Sequence, residues 1–381
     1  MLRRLRDQQG EALDDALVLR FDGPASATGE DLVELHCHGG RAVVDAVCRA
    51  LATIEGLREA APGEFTRRAF ENGRIDLTAA EGLADLLEAE TETQRKAALR
   101  LAEGGLRAEV ERWRTKVVSL SAAAEALIDY VDEDESFDGV EAMANSAAEL
   151  AAELDGWLAQ PRAETLKDGV RVVIAGPPNA GKSSLLNALV GRERAIVSDL
   201  AGTTRDLVEV PLALGGVPLV LTDTAGLRSG SDPIERIGVQ LAQREVGAAD
   251  ILLWLGEPVD APEHPCCMLV HARCDLPERE RIPEGSLGVS VVTGQGLDDL
   301  RSLLLERACN VLPGEDRISL NRRQAEAVRR AADALRTASG SDIVLLAEAC
   351  RHARLALDEV TGRAGMEEVL DALFDRFCLG K

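Results

Sequence analysis

The sequence predicts an α+β protein of several domains, in which an alternating α/β domain is inserted into a helical one. Three patterns along the 381 residues support this prediction. Residues 1–72 mix short strand-like runs with one helix, and residues 73–168 follow a helical period. Strands and helices alternate over 169–312, and the helical pattern returns over 313–381. Because the same helical pattern stands on both sides of the alternating region, we expect one helical unit interrupted by an insertion.

The first region predicts a small α+β domain. Leu17–Phe21 and Asp31–His36 look extended, whereas Arg41–Ile54 has a helical period. Alternation places His36 and His38 on one face of a strand. No third metal ligand is in view, so we favour a structural or pocket-lining role for this pair over a metal site.

The second region, rich in Ala, Leu and Glu, predicts long helices. Thr78–Glu81 has the pattern of a capping box that opens the first of them. Gly104-Gly105 predicts a break or bend, and Asp132–Glu135 an acidic turn or solvated face.

The third region predicts a doubly wound α/β domain, with Gly215-Gly216 as a hairpin turn between two of its strands. The strand candidates are Arg171–Ala175, Val208–Leu214, Pro218–Thr222, Ile251–Leu255, Met268–Ala272 and Gly288–Val292.

The composition excludes several classes of protein. A formal net charge of −23 disfavours non-specific nucleic-acid binding, which needs clustered Lys and Arg. Eight scattered cysteines without a CxxC pair argue against a disulfide scaffold and against structural zinc. Met1–Gly10 lacks an apolar core, and no apolar run approaches the ~20 residues that span a bilayer. We therefore expect a cytoplasmic protein without a membrane segment.

A phosphate-binding loop is predicted at Gly176–Ser183, which fits GxxxxGK followed by Ser or Thr. A strand candidate precedes it, and a predicted helix, Ser184–Gly191, follows. Glycines let backbone N–H groups wrap phosphates, and the helix N-terminus adds positive potential. Lys182 would reach the β- and γ-phosphates, and the Ser183 hydroxyl would bind Mg²⁺.

Two further motifs indicate a GTPase switch. Asp223–Gly226 ends a strand, where Asp223 would hold Mg²⁺ through water and the Gly226 N–H would sense the γ-phosphate. Gly202–Asp206 lies between the two phosphate motifs, and its Thr204 would complete the metal shell.

The base-reading loop departs from the usual Asn-Lys-x-Asp, since the chain has Ala272-Arg273-Cys274-Asp275. Asp275 still offers acceptors for the guanine N1 and N2 donors, and the Arg273 stem stands where Lys would stack. Loss of the Asn amide costs roughly 1–3 kcal/mol, so we expect weaker guanine affinity or discrimination. The alternative is a domain that binds nucleotide poorly. Ser290-Val291-Val292 is the final base loop expected.

The residue that activates water is not fixed by these motifs. Leu227 occupies the position of the Gln that orients water in Ras-type GTPases. Glu235 is a candidate carboxylate, and a solvated helix residue is its alternative. Positive charge must come from Arg205, Arg228, a partner or a bound cation.

The chain resembles the MnmE (TrmE) family of tRNA modification GTPases from about residue 17 to 381. The resemblance rests on TGEDLVELHCHGG, PGEFTRRAFENGRIDLTAAE, GPPNAGKSSLLNALVGRERAIVSDLAGTTRD, DTAGLR with ERIG, and the C-terminal FCLGK. The last of these is the most specific, because GTPase motifs are common and this tail is not.

The resemblance implies a Ras-like GTPase domain within a helical domain, beside a small N-terminal domain that binds a tetrahydrofolate derivative. It implies a homodimer that works with the flavoprotein MnmG, as a heterotetramer, on C5 of the wobble uridine of certain tRNAs. It implies K⁺-dependent dimerisation of the GTPase domains, in which K⁺ replaces an arginine finger. By the motif match, Asn179 and the loop Ser198–Thr203 would bind K⁺, and Glu235 would position water.

The folate residues implied are Glu34, Arg74 and Lys381, with Arg74 where the family often has lysine. Cys378 would lie near this pocket, and an inert buried thiol is the alternative. The family has further residues ahead of Leu17, so we expect an incomplete N-terminal domain, as a mis-set start codon would produce.

The whole predicted site can be given in three sets. The catalytic candidates are Glu235 and Lys182. The nucleotide contacts are Asn179, Ala180, Gly181, Lys182, Ser183, Ser184, Ser198, Asp199, Leu200, Ala201, Gly202, Thr203, Asp223, Thr224, Ala225, Gly226, Asp275 and Ser290. The metal ligands are Ser183 and Thr204 for Mg²⁺, and Asn179, Ser198, Leu200 and Thr203 for K⁺.

Two other functions stay open at this point. One is a GTPase switch that binds RNA or ribosomes directly, although no basic RNA-binding module is visible in the sequence. The other is a nucleotide-binding scaffold without turnover.

Overall fold

The computed structural model describes most of the chain, and the acidic run Asp132–Glu135 lies outside the described residues. Among the described helices, none has the combination of length and hydropathy that a membrane-spanning segment requires. The described residues are 1–129, 136–191, 209–223, 244–314, 317–337, 342–363, 367–374 and 377.

The N-terminal region is a three-stranded antiparallel sheet with two helices. The sheet has the order β1-β2-β3. The expectation of a single helix in this region was wrong, because the second helix is short and the residues it buries, Thr66 and Ala69, are too small to give a clear hydrophobic period. The elements are β1 (Leu2–Arg6), β2 (Ala12–Phe21), β3 (Leu32–His36), α1 (Arg41–Ala52) and α2 (Glu64–Glu71).

Five helices follow in the described residues before the α/β domain, and the first begins one residue before the predicted cap. Asp76, not Thr78, caps this helix by accepting a hydrogen bond from the Ala79 N–H at 2.8 Å. The capping box is instead at Thr91 and Gln94. The predicted break at Gly104-Gly105 is confirmed. The helices are α3 (Leu77–Glu88), α4 (Glu92–Ala102), α5 (Gly105–Asp129), α6 (Ser136–Leu158) and α7 (Ala163–Asp168).

The α/β domain has a six-stranded sheet of order β5-β6-β4-β7-β8-β9, parallel except for β5. Strand β9 ends before the predicted residue 292, because Ser290 turns the chain: its carbonyl accepts from Gly294 N–H and its hydroxyl from Thr293 N–H. The elements are β4 (Val170–Ala175), α8 (Lys182–Val190), β5 (Glu209–Leu214), β6 (Val217–Asp223), β7 (Ile251–Trp254), β8 (Cys267–Ala272), β9 (Leu287–Val289) and α9 (Leu297–Val311).

Alternate residues of β4 serve opposite faces of this sheet. Val172 and Ile174 belong to a core shared with α8 and α9, whereas Val173 and Ala175 join a smaller cluster on the other side. Both faces of the sheet are therefore covered, as the doubly wound prediction requires.

Helices from both sides of the α/β domain share one core. The last three helices are α10 (Arg322–Thr337), α11 (Ile343–Thr361) and α12 (Glu367–Phe374). Residues of α10 and α11 pack with those of α5 and α6 around Trp113, which is fully buried and meets Trp157 edge-on at 5.1 Å. Arg323 also makes a two-pronged ion pair with Glu81 of α3, with both N–O distances 2.9 Å. The α/β domain is thus inserted into one helical unit.

We expect Gly362→Ala to destabilise this helical unit more than Gly104→Ala. Both glycines have positive φ, +81° and +86°, so both variants carry the same strain of about 1 kcal/mol. A Cβ on Gly362 would lie 2.8 Å from the Leu77 Cβ, whereas the nearest atom to one on Gly104 is 4.0 Å away. Overpacking adds about 1–3 kcal/mol. Urea unfolding followed by tryptophan fluorescence measures both variants, and equal losses would contradict the close packing at Gly362.

Candidate nucleotide-binding site

The predicted phosphate loop, Gly176–Ser183, joins β4 to α8 at the carboxyl end of the sheet. Gly176 lies so close to the neighbouring strand that a Cβ would come within 3.1 Å of the Leu255 backbone. Asn179 and Gly181 have φ of +60° and +99°. Positive φ values within such a turn let successive N–H groups line one concave side, and the N–H groups of the first helical turn have no partners within α8. The backbone therefore suits an anion.

Lys182 is 6% exposed and already bonded to the loop. Its Nζ donates to the carbonyl oxygens of Gly176 at 3.1 Å and of Pro177 at 2.9 Å. The ammonium is thus held beneath the curve of the turn, where phosphate oxygens can replace the two carbonyls as acceptors.

Ser183 and Asp223 meet at the same edge of the sheet. Strands β4 and β6 are adjacent and parallel, with Ile174 opposite Asp223, so both strands deliver their next residues to one place. The Ser183 hydroxyl donates to Asp223 Oδ2. A hydroxyl and a carboxylate are the hard oxygen donors that Mg²⁺ takes, so the residues present fit this ion.

A cavity of about 370 Å³ opens beside the phosphate loop, at the ends of β8 and β9. That size is within the range of small-molecule sites. Its walls are mostly apolar, which suits the faces of a planar base. The lining residues are Gly181, Ser184, Leu185, Ala272, Arg273, Asp275, Leu276, Val289, Val291 and Val292.

The charged groups of this cavity are the two charged residues of the base loop, Arg273 and Asp275. Asp275 is exposed, and its carboxylate makes no hydrogen bond or ion pair to the part of the chain that is described. Arg273 has φ of +60°, and its Nε lies 3.5 Å from the position that a Cβ on Gly181 would take. The exposed Arg273 side chain therefore approaches the phosphate loop at Gly181.

Two residues that the sequence analysis missed support the base loop. His271 is 9% exposed; its Nε2 lies 2.9 Å from the Arg279 carbonyl oxygen, and the Arg279 guanidinium lies 3.3 Å from its Nδ1. A neutral ring that donates from Nε2 and accepts at Nδ1 satisfies both contacts. The Cys274 N–H donates to Val289, which joins this loop to the Ser290 loop. No motif marks these contacts, because they depend on residues eight or more positions apart.

The structure does not join the described folate candidates to each other. Glu34 on β3 lies 2.8 Å from His36, through Oε2 and Nε2. Arg74 is exposed, and its stem lies against Gly29. The contacts within the described residues give no bond between Glu34 and Arg74.

His38 has a structural partner in Asp14 of β2. Its backbone N–H and its Nδ1 each lie 2.7 Å from one carboxylate oxygen. The backbone hydrogen bond, with smaller contributions from the imidazole, lowers the pKa of Asp14 below its ordinary value. The two histidines of the cluster thus contact different carboxylates.

Thirteen predicted site residues lie outside the described residues, and their assignments stay predictions. They include every candidate for the K⁺ loop and the water-positioning carboxylate. These residues are Ser198, Asp199, Leu200, Ala201, Gly202, Thr203, Thr204, Thr224, Ala225, Gly226, Glu235, Cys378 and Lys381.

Comparison with known proteins gives matches along the whole chain. The family model described as MnmE helical domain matches residues 77–378, and that described as GTP-binding protein TrmE N-terminus matches residues 1–74. A tRNA modification GTPase MnmE of Sphingopyxis alaskensis is 53% identical, with 100% of this chain and 94% of that protein covered. One of Erythrobacter litoralis is 52% identical, with 100% and 90% covered.

Among solved structures, the G domain of the T. maritima FeoB iron transporter is 28% identical. The similarity covers 36% of this chain and 98% of that one, with a TM-score of 0.27.

We expect Ala272→Asn to tighten guanine-nucleotide binding. Ala272 lines the cavity, and its Cβ lies 4.0 Å from the position of a Cβ on Gly181, so an amide here would add a polar group to the wall of the proposed base pocket. One added hydrogen bond is worth about 1 kcal/mol, or roughly fivefold in affinity. Titration calorimetry with Mg·GDP measures the change.

Ala272→Leu is the matched control, because leucine has nearly the shape of asparagine without its amide. Equal affinities for the two variants would contradict a role of the missing amide in this loop.

Proposed function

The chain belongs to the MnmE family of tRNA modification GTPases, and on that premise we propose that it hydrolyses GTP in a K⁺-dependent cycle that drives modification of C5 of the wobble uridine of certain tRNAs. GTP hydrolysis itself is the activity of the family. The observation that carries the proposal is the bond between Ser183 and Asp223, beside the base cavity. It brings two phosphate motifs forty residues apart to one point.

In the proposed site, each described residue has one task. The loop N–H groups and Lys182 would hold the phosphates. Ser183 would bind Mg²⁺ directly, with Thr204 from outside the described residues, and Asp223 would hold the ion through water. The ion would supply positive charge to the β- and γ-phosphates. Asp275 accepts hydrogen bonds from the guanine edge, and the stem of Arg273 covers one face of the base.

Hydrolysis requires a carboxylate and a cation beyond these residues. Leu227 cannot orient water, so we assign that task to Glu235. We assign K⁺ to Asn179 and the loop Ser198–Thr203, where it would neutralise charge as an arginine finger does. The exposure of Asn179 at the outer rim of the phosphate loop supports this, since the ion would bind as two copies meet face to face.

The partners proposed follow from the family and from the charge. We propose a homodimer that acts with the flavoprotein MnmG on tRNA in the cytoplasm. A net charge of −23 supports the view that the partner supplies most of the cationic surface for tRNA. A tetrahydrofolate derivative would bind through Glu34, Arg74 and Lys381, with Cys378 nearby.

We propose limits for three domains, each with one of the roles given above. Residues 1–72 form the folate and dimerisation domain, 73–168 and 313–381 the helical domain, and 169–312 the GTPase domain. The described strands from β4 to β9 and the helices α8 and α9 support the last range.

We expect Glu235→Ala to lower GTP turnover by about 10²–10⁴-fold while Mg·GTP binding stays within a few-fold. The carboxylate orients water and does not hold the nucleotide. Phosphate release measured in KCl and in NaCl tests both parts of the proposal. The unaltered chain should turn over GTP faster in KCl, and the variant should be slow in both salts.

An unchanged rate for the variant would remove Glu235 from the mechanism. Equal rates of GTP turnover by the unaltered chain in KCl and in NaCl would remove K⁺ from the proposed mechanism. Nucleotide binding without turnover in either salt would favour a scaffold that does not hydrolyse GTP.

A further inference from the structure

We propose that the first turn of α4 couples the nucleotide state of the GTPase domain to the helical domain, with Thr93 as the positioning residue. This inference rests on the proposed function, since it needs a nucleotide at the phosphate loop. It concerns the end of the sheet opposite to that loop.

The hairpin of β5 and β6 connects two of the nucleotide-sensing motifs. In sequence, Gly202–Asp206 comes just before β5, and β6 ends at Asp223, which bonds Ser183. Strand β6 pairs with β4 from Val170–Leu219 to Ile174–Asp223, a continuous ladder. A strand paired along its length moves as a unit, because its neighbours pack closely on both faces. If Asp223 shifts when Mg²⁺ and phosphate bind, β6 therefore shifts along its whole length.

The other end of this hairpin rests on α4. The Gly216 carbonyl accepts from the Thr93 hydroxyl at 2.9 Å and from the Thr93 N–H at 3.4 Å. Thr91 caps α4, so the Thr93 N–H is in the first turn, where helix N–H groups lack partners within the helix. The Gly216 carbonyl in the hairpin of the α/β domain thus accepts hydrogen bonds from the first turn of a helix in the helical domain.

The amino end of β4 is held by the same turn of α4. The Gln94 side-chain amide donates to the carbonyls of Leu166 at 3.2 Å and Lys167 at 3.0 Å, at the end of α7 just before β4. Lys167 in turn contacts Asp85 and Glu88 of α3, at 2.7 and 2.9 Å. Strands β4 and β6 are parallel, so their carboxyl ends carry the phosphate motifs while their amino ends both meet α4.

Helix α4 belongs to both cores. Ala97 packs against the core of the α/β domain, whereas Ala98 and Leu101 are buried on the helical side, where Leu101 joins the main core. Helix α3 lies tightly beside it, since a Cβ on Gly82 would come within 2.4 Å of the Ala102 nitrogen. A displacement of α4 must therefore move α3 as well.

Helix α3 contacts the C-terminal segment. Its residues Leu77, Ala80 and Ala84 cluster with Phe374 of α12 and with Phe377, the first residue of the FCLGK tail. The contacts thus connect the phosphate loop, through β6, Thr93, α4 and α3, to Phe374 and to Phe377 at the start of the tail.

The test is hydrogen exchange of the full chain, with Mg·GDP and with Mg·GDP–aluminium fluoride in KCl. We expect the exchange of amides in α3 and α4 to differ between the two nucleotide states. Thr93→Val keeps the shape of the side chain but removes its hydroxyl donor. In this variant the difference in amide exchange between the two nucleotide states should shrink by about three- to tenfold, which corresponds to one net hydrogen bond. Thr93→Ser keeps the hydroxyl and should retain the difference.

Thr93 lies far from the nucleotide, so Thr93→Val should leave Mg·GDP affinity unchanged. Loss of the hydrogen bond to Gly216 should lower its melting temperature relative to Thr93→Ser, so stability alone does not decide. A merely structural contact would alter stability and leave the nucleotide-dependent exchange of α3 and α4 unchanged, whereas the proposal requires that this exchange response shrink.

Two outcomes overturn the inference. One is nucleotide binding by the unaltered chain without any change of exchange in α3 and α4. The other is an equal response from the valine and serine variants. Failure of the unaltered chain to bind Mg·GDP would instead overturn the proposed function, so the two failures are distinguishable.

Discussion

The parallel pairing of β4 with β6 is the constraint on which the rest of the site depends. It sets Ile174 opposite Asp223, so the phosphate loop and the second motif leave the sheet side by side. The hydrogen bond between Ser183 and Asp223 follows from this register, and a slip of one residue would turn the carboxylate to the other face. A crossover between parallel strands is long, which is why the two motifs lie so far apart in sequence.

The same pairing explains how one chain can combine a GTPase with a helical domain. The carboxyl ends of β4 and β6 lead to the phosphate loop and to Asp223, and the segments at their amino ends are hydrogen-bonded to the first turn of α4 through Thr93 and Gln94. The helices before and after the insertion close around Trp113, and Arg323 joins Glu81 across the gap in sequence. The inserted domain is therefore attached to the helical domain at the amino ends of β4 and β6, the ends opposite to the phosphate loop.

The sequence predicted those parts of the molecule that depend on neighbouring residues. The phosphate loop, the alternating strands and the break at Gly104-Gly105 are of this kind, and the structure has them. Two local predictions were wrong because a neighbouring group competes for the same backbone. The Asp76 carboxylate, two residues before Thr78, caps α3, and the Ser290 N–H donates to the Gln295 carbonyl and ends β9 early. The support of the base loop by His271 and Arg279 has no local signal at all. The sequence predicted that the Arg273 stem would stack on the base. Its approach to Gly181 could not be predicted, because the two residues come together only in the folded chain.

Binding of Mg·GDP to the folded chain is the most direct measure of whether Gly176–Ser183 and Asp223 form one phosphate site. Titration calorimetry should give saturable heat with a dissociation constant well below about 1 mM, and this heat should diminish when EDTA removes Mg²⁺. Absence of heat at millimolar Mg·GDP and Mg·GTP, from protein whose circular dichroism is that of a folded chain, would contradict the account.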